Sequence, residues 1–426
     1  MNKITIKGDS KPISIEYEEF AQGSKNATLP LIGASLIFDS KQILSNFPDI
    51  SDVKSIFELL DQINIQYEFK DGVFIKNNSS QINKQNFGSN FFKTRGGFYI
   101  VAGIISKFGR VEIEDYVVGG CKIGDRNYQF IFNTFKSFGI DVEITDKSII
   151  FQKQLENSYR REIVLDDLGI VVTGIALILA AQEQSPIKLI NISNAPEIND
   201  VIDFLIRNGI SIERLGKRDL LVNPVVQKDL YNETDFQIQD DRIVIATYSI
   251  LSLITKGKFR IKQNRWRYLD TFTSLLKDIG FVLESNEDNF IIYNKDNLEL
   301  MPQNVIADDY PAISTDMQPL VTLLLCTING NSTMTDKIFP TRNFHVEQLS
   351  KLNQKIEFTD DRIVIKGRSK FLSNEIESND MRCSAALILA ATIAEGTSTI
   401  KNYEDVNRGY EHLISIVSQN RQTSFS

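Results

Sequence analysis

Cysteine, histidine and tryptophan are nearly missing from this chain: its 426 residues hold three, two and one of them. Three thiols, at Cys121, Cys326 and Cys383, cannot build a disulfide framework, and a reducing cytoplasm is the simplest compartment for them. The two histidines, His345 and His412, lie far apart without metal-ligand spacing, so no Cys/His metal centre is expected. Neither a P-loop nor a G-x-G-x-x-G fingerprint occurs. The longest apolar run, Leu168 to Ala181, is too short for a membrane span, is broken by Gly169, Thr173 and Gly174, and reads as a buried helix. The opening MNKITIKGDS reads as a strand, not a signal peptide. Acidic residues outnumber basic ones, 55 to 47, and the net charge of -8 argues against nucleic acid as a partner.

What the chain has in plenty is repetition. An apolar helix-like phrase, a polar or glycine break and a short alternating strand recur six times, from Leu29, Tyr99, Gly174, Ala246, Val321 and Ala385. The first copy reads LPLIGASLIFDSKQILSN and the last AALILAATIAEGTSTIKN. A spacing of roughly 70 residues exceeds that of the common solenoids and points to a globular body of six supersecondary units. Each copy leads to a second helix with one apolar face, as in SIFELLDQINI, VIDFLIRNGI and FTSLLKDIGF. Gly139, Gly209 and Gly280 follow three of these helices and suit left-handed caps. Polar turns with β-rich runs come next, for example KDGVFIK and TDDRIVIKG. The unit therefore reads strand, helix, strand, helix, strand, strand, in an α/β (α+β) chain. The sixth copy, ending in YEHLISIVSQNRQTSFS, reads as truncated with a frayed polar tail. Six units divide evenly into two lobes, expected at residues 22–235 and at residues 1–21 plus 236–426.

The candidate chemistry sits on isolated basic residues at helix starts or glycine-rich segments: Lys25 in GSKN, Arg95 in KTRGG, Arg126 in GGCKIGDR, Arg382 in NDMR and Arg408 in NRGY. Helix N-termini offer N–H groups and a positive dipole end, and a cation beside them makes a site for phosphate or carboxylate. One such residue alone is more often a solvated or ion-paired surface group; recurrence at equivalent places in the repeats gives the set its weight. Asp316, in STDMQ, opens the fifth apolar helix. It is an N-cap, or, if it faces the cations, a general base, and the residues alone leave both open. Cys121 lies between Gly120 and Lys122 with Arg126 close by, a setting that favours a reactive thiolate over inert packing. Cys326 and Cys383 lie within apolar helices and read as packing residues.

Taken together, GSKNA, RGGFYIVAGIISKFG, GGCKIGDR, TDMQ, TRNFHV, NDMRCSAALILAA and NRGYE resemble the enolpyruvyl transferase family in order and spacing, over nearly the whole chain. The resemblance implies two inside-out α/β barrel domains, each of three βαβαββ repeats. It also implies an enzyme that transfers the enolpyruvyl group of phosphoenolpyruvate to an acceptor hydroxyl and releases phosphate, without a metal or organic cofactor. The implied acceptor is UDP-N-acetylglucosamine or a related nucleotide or sugar, for peptidoglycan synthesis, and no membrane or nucleic-acid partner is implied. By position, Lys25, Arg126, Arg342, Arg382 and Arg408 match residues that hold phosphoenolpyruvate and the departing phosphate. Asn26, Arg95 and Asp316 match residues that touch the sugar nucleotide, Asp316 being also the candidate base. Cys121 matches a loop cysteine that adds covalently to phosphoenolpyruvate and is the target of the epoxide antibiotic fosfomycin. Asp380 matches a position given a proton-transfer role.

The match thins on the acceptor side. Where the family has a lysine-valine-serine-valine-glycine-like loop before the third apolar helix, this chain has Asp167-Leu168-Gly169-Ile170-Val171, and an Asp near a diphosphate is repulsive. Gln129 stands where an aspartate is expected to read uracil, Tyr99 replaces a tryptophan, and Gly96-Gly97 replace alanine and serine. The expectation is retained donor chemistry with an altered or relaxed acceptor, UDP-N-acetylglucosamine or a different metabolite. Cys121 argues against the shikimate 3-phosphate enzyme, and the intact Lys25, Cys121, Asp316, Arg382 and Arg408 argue against a silent binding protein.

Overall fold

A computed structural model describes residues 2–77, 86–88, 91, 94–114, 128–154, 161–223, 233–295 and 298–426. The expected site residues Cys121 and Arg126 lie outside the described residues. The chain forms two compact units: one from Met1–Gln22 and Asp240–Ser426, the other from Gly23–Gly120 and Arg126–Gln239.

The Gly23–Gln239 unit holds α1 (Lys25–Ser35), α2 (Ser51–Gln62), α3 (Gly97–Phe108), α4 (Gln129–Ser137), α5 (Ile170–Ala180) and α6 (Pro196–Arg207). The other holds α7 (Arg242–Ile254), α8 (Asp270–Ile279), α9 (Gln318–Cys326), α10 (Phe344–Lys351), α11 (Met381–Ile393) and α12 (Leu413–Asn420). The odd-numbered helices carry the six apolar phrases and are buried on nearly every side. The even-numbered helices bury mainly one face. A helix that is apolar all round belongs at a centre, and a one-sided helix belongs around it. Accordingly α1, α3 and α5 pack on one another in one unit, and α7, α9 and α11 do so in the other. Gly139, Gly209 and Gly280 close α4, α6 and α8 in the left-handed conformation, at φ of 70°, 91° and 106°.

Six four-stranded sheets surround these centres, all with the same order. In the third repeat Glu162–Val164 pairs in parallel with Ile187–Ile190, the strand that follows α5. Asp219–Asn223 then pairs antiparallel with both Ile187–Ile190 and Ser211–Arg214. A parallel pair flanking a helix is a βαβ crossover, so the repeat is the βαβαββ unit read from sequence. No sheet among the described residues closes on itself; the sheets lie open around the helical centres. Strands bury alternate residues, as in Ile4 and Ile6 of Lys3–Lys7, because only one face meets the core.

Three repeats borrow strands from far away; in the fourth, Ile15–Glu16 pairs in parallel with Lys258–Lys262 as its opening strand. Thr234–Gln237 pairs in parallel with Gln42–Ser45 and supplies the opening strand of the first repeat, which carries this unit past residue 235 to Gln239. In the sixth repeat, Lys3–Lys7 lies between Thr397–Lys401 and Gln422–Phe425, antiparallel to both. The tail expected to fray is therefore a paired strand that completes the repeat. Arg421 fastens it: buried, it donates to the carbonyls of Thr392, Asn420, Asp9 and Lys11.

Candidate active site

Asp316 sits in a 3-10 turn (Thr315–Met317) ahead of α9. Ser314 caps that turn, its hydroxyl accepting from the Asp316 N–H at 3.3 Å. The Asp316 carboxylate is thereby left for cations: Oδ2 accepts from Arg382 Nη2 at 2.9 Å, and Oδ1 lies 3.7 Å from Arg342 Nη1. The cap reading of Asp316 is ruled out, and the residue belongs to a cation cluster.

Arg342 is held by a relay. Its Nη1 donates to the carbonyl and hydroxyl of Thr315 at 2.5 and 3.2 Å, and its Nη2 lies 3.9 Å from Asp380. The Thr315 hydroxyl donates to Asp336 at 2.6 Å, and the other Asp336 oxygen accepts from the N–H groups of Ile338 and Phe339 at 2.9 Å each. Burial raises the Asp336 carboxyl above the usual range, against these hydrogen bonds and Arg342, which lower it.

Arg382 enters in the first turn of α11, 1% exposed, with the Tyr410 ring centre 5.2 Å from its guanidinium. The Tyr410 hydroxyl shares a 3.0 Å hydrogen bond with Thr247 of α7. Burial works against the charge of Arg382, but Tyr410, Asp316 and Asp241 outweigh it and hold the guanidinium protonated more firmly than usual. Nε and Nη1 of Arg382 and Nε of Arg342 have no hydrogen-bond partner among the described residues. Buried guanidinium N–H groups are destabilising unless an acceptor meets them, and their fork matches a carboxylate or phosphate.

Asp380 caps α11 through Oδ1, which accepts from the N–H groups of Arg382 at 2.8 Å and Cys383 at 3.1 Å. An internal carboxylate thus occupies these N–H groups. An anion bound here meets guanidinium side chains instead, which corrects the expectation of open N–H groups at this helix start. His345 of α10 is fully buried within electrostatic reach of Asp380 and Arg342; burial drives its imidazole down to about 3, so it is neutral near pH 7. Arg408 ends a 3-10 turn (Tyr403–Arg408) and lies 3.8 Å from Asp405. The next residue, Gly409, packs on the start of α11: a Cβ there would lie 2.1 Å from Met381 Sδ and 3.5 Å from Arg382 Nη1. Arg408 is carried beside the cluster by a residue with no room for a side chain.

A second group of expected residues lies in the other unit. Lys25 opens α1, buried, with its ammonium 2.5 Å from Asp52 in the first turn of α2. Asn26 follows it, half-buried. Arg95, half-buried ahead of α3, sets its guanidinium 5.7 Å from the Tyr128 ring centre. On the acceptor side, Asp167 turns back to accept from the Gly169 N–H at 3.2 Å, an Asx turn at the entry of α5. Gln129 donates to Asn133 at 2.7 Å, and Asn133 to Asp166 at 3.0 Å. Tyr99 is a core residue, 3% exposed: a Cβ on Gly33 or Gly174 would come within 2.6 or 2.8 Å of it.

Sequence reasoning missed Asp52, Thr315, Asp336 and Tyr410, the partners that orient Lys25, Arg342 and Arg382. The TDMQ and NRGYE phrases held signals for Thr315 and Tyr410. Asp52 and Asp336 carried none, since each meets its partner only through the tertiary fold.

Six βαβαββ units, one group of three bearing an arginine–carboxylate cluster at buried helix starts, define a mixed α/β fold with a site suited to an anion. The sequence pattern of the EPSP synthase (3-phosphoshikimate 1-carboxyvinyltransferase) family matches residues 19–416, and the chain belongs to that family. It is 29% identical over 414 residues to a UDP-N-acetylglucosamine 1-carboxyvinyltransferase of Campylobacter hominis, covering 97% of this chain and 96% of that one. It is also 29% identical over 422 residues to the protein of the same name from Wolbachia pipientis wMel, with the same coverage. Among solved structures, the enolpyruvyl transferase NikO from Streptomyces tendae superposes with a TM-score of 0.88 at 17% identity, covering 100% of this chain and 99% of that one. An EPSP synthase from Acinetobacter baumannii gives 0.74 at 13% identity, covering all of both chains. At these identities the structures speak for the fold alone. The chain is an enolpyruvyl (1-carboxyvinyl) transferase. Among the described residues no helix is long and apolar enough to cross a membrane.

Proposed function

We propose that this enzyme transfers the enolpyruvyl group of phosphoenolpyruvate to a hydroxyl of UDP-N-acetylglucosamine, as a step of peptidoglycan synthesis. The observation that carries the donor half is the Arg342–Asp316–Arg382 cluster, a carboxylate between two buried guanidiniums that keep N–H groups without partners. In this reading Arg342, Arg382 and Arg408, with Lys25 and Arg126, hold the carboxylate and phosphate of the donor. Protonation of the donor's methylene carbon makes its neighbour electrophilic. The acceptor oxygen adds there as Asp316 takes the hydroxyl proton. The tetrahedral adduct then loses phosphate and a methyl proton, giving the enolpyruvyl ether, with the departing charge met by Lys25 and the arginines. Asp380 suits the proton exchange at carbon because its cap uses Oδ1 alone. A donor anion competes with Asp316 for Arg382, so donor binding loosens the Asp316 carboxylate toward the acceptor. Cys121 is assigned the covalent loop role.

The acceptor assignment is supported by the relatives' names over nearly full length. A second reading, a different hydroxyl acceptor, is favoured by Gln129, whose amide is engaged with Asn133. Isothermal titration decides between them: micromolar binding of UDP-N-acetylglucosamine supports the first reading, and none at millimolar concentration supports the second.

A further inference from the structure

Gln22 is the last residue of its unit before the chain passes to Gly23 and the other unit. It is 1% exposed, and both ends of its carboxamide are used. Nε2 donates to the Gly409 carbonyl at 3.0 Å, and Oε1 accepts from the Glu411 N–H at 2.9 Å. These backbone groups bracket Tyr410, the ring against Arg382, and Arg408 directly precedes them. The main chain of Gln22 is fixed as well: its carbonyl accepts at 2.9 Å from the N–H of Asp241, the cap of α7. Gly409 has Met381 and Arg382 on its other side. The segment carrying Arg408 and Tyr410 is thus held between the start of α11 and one buried amide.

We propose that Gln22 is a positioning residue for phosphoenolpyruvate: it sets Arg408 and Tyr410. The inference rests on the assignment of Arg408 and Arg382 to the donor site made above. The amide is matched to its task. Glu offers no donor to the Gly409 carbonyl, Asn is a methylene too short, and Met fills the space while making neither bond.

The test is calorimetric titration of phosphoenolpyruvate alone into the wild type, Gln22→Met, Arg408→Ala and the double variant. Loss of two buried hydrogen bonds that act only through the segment should weaken binding about tenfold in Gln22→Met. The double variant should lose clearly less than the product of the two single losses, because the Arg408 part of what Gln22 positions is already gone. A merely structural role would give losses that multiply, or a lowered melting temperature with binding intact, and either result overturns the proposal. If Gln22→Met does not fold, Gln22→Asn carries the same expectations. An Arg408→Ala protein that binds like the wild type would instead defeat the donor-site assignment, and so is told apart from failure at Gln22.

Discussion

Replacing Arg382 by Met should abolish recognition of phosphoenolpyruvate without unfolding the protein. Arg382 is the most buried cation of the cluster, holds Asp316 at 2.9 Å, and keeps Nε and Nη1 available. Met keeps much of the stem that packs near Tyr410, and the Asp316 side chain is 24% exposed, so it can hydrate once its partner is gone. Truncating one member of a buried, hydrogen-bonded charge pair costs about 2–5 kcal/mol, or roughly 30- to 3,000-fold in affinity. At a hundred times its dissociation constant a ligand stabilises the wild type by about 2.7 kcal/mol, and a variant binding a hundredfold more weakly by about 0.4 kcal/mol. At roughly 2–4 °C per kcal/mol, the melting shift induced by phosphoenolpyruvate should fall from about 5–11 °C to about 1 °C. Thermal melts with and without phosphoenolpyruvate measure this, with Lys366→Met, from an exposed pair with Glu357, as the control that keeps the full shift. An Arg382→Met protein with the wild-type shift would refute the reasoning.

Stability should fall on mild acidification through His345, whose folded-state value near 3 lies below the ordinary 6.5. Below that ordinary value the unfolded chain takes up a proton that the buried ring refuses, so this group alone removes about 2 kcal/mol by about pH 5. Urea titrations should show that loss in the wild type and not in His345→Gln. Arg421→Met should cost about 2–4 kcal/mol through the lost carbonyl partners. Hydrogen exchange should localise the damage to Lys3–Lys7 and Gln422–Phe425, and unchanged protection there would contradict the strand-fastening role. Native alkylation should spare Cys326 and Cys383, because burial pushes the first thiol up to about 12 and the second above its usual value. Cys121 should take both iodoacetamide and, with acceptor bound, fosfomycin; mass spectrometry finding no adduct on Cys121 would count against its loop role.

The repeats were legible because each inner helix is apolar all round and each outer one has a single apolar stripe, and both are local patterns. The swapped strands were not. The pairing of Lys3–Lys7 with Gln422–Phe425 depends on where the chain returns, and no window of sequence near Arg421 records it. At the site, residue types and helix starts pointed to Asp316 and Arg382, the family resemblance added Arg342 and Asp380, and the four meet in one cluster. Their orienting partners were hidden for the same reason as the strands: Asp52, Asp336 and Gln22 are ordinary polar residues until the fold sets them against Lys25, Thr315 and Gly409. The choice between cap and ligand role at Asp316 turned on a neighbour, Ser314, whose hydroxyl takes the capping position.

Phosphate release from phosphoenolpyruvate, with UDP-N-acetylglucosamine as the sole acceptor, tests the central claim most directly. The account predicts acceptor-dependent release from the wild type and none from Asp316→Ala. No release from the wild type, while phosphoenolpyruvate still raises its melting temperature, would contradict the acceptor assignment; release undiminished in Asp316→Ala would contradict the role of the cluster.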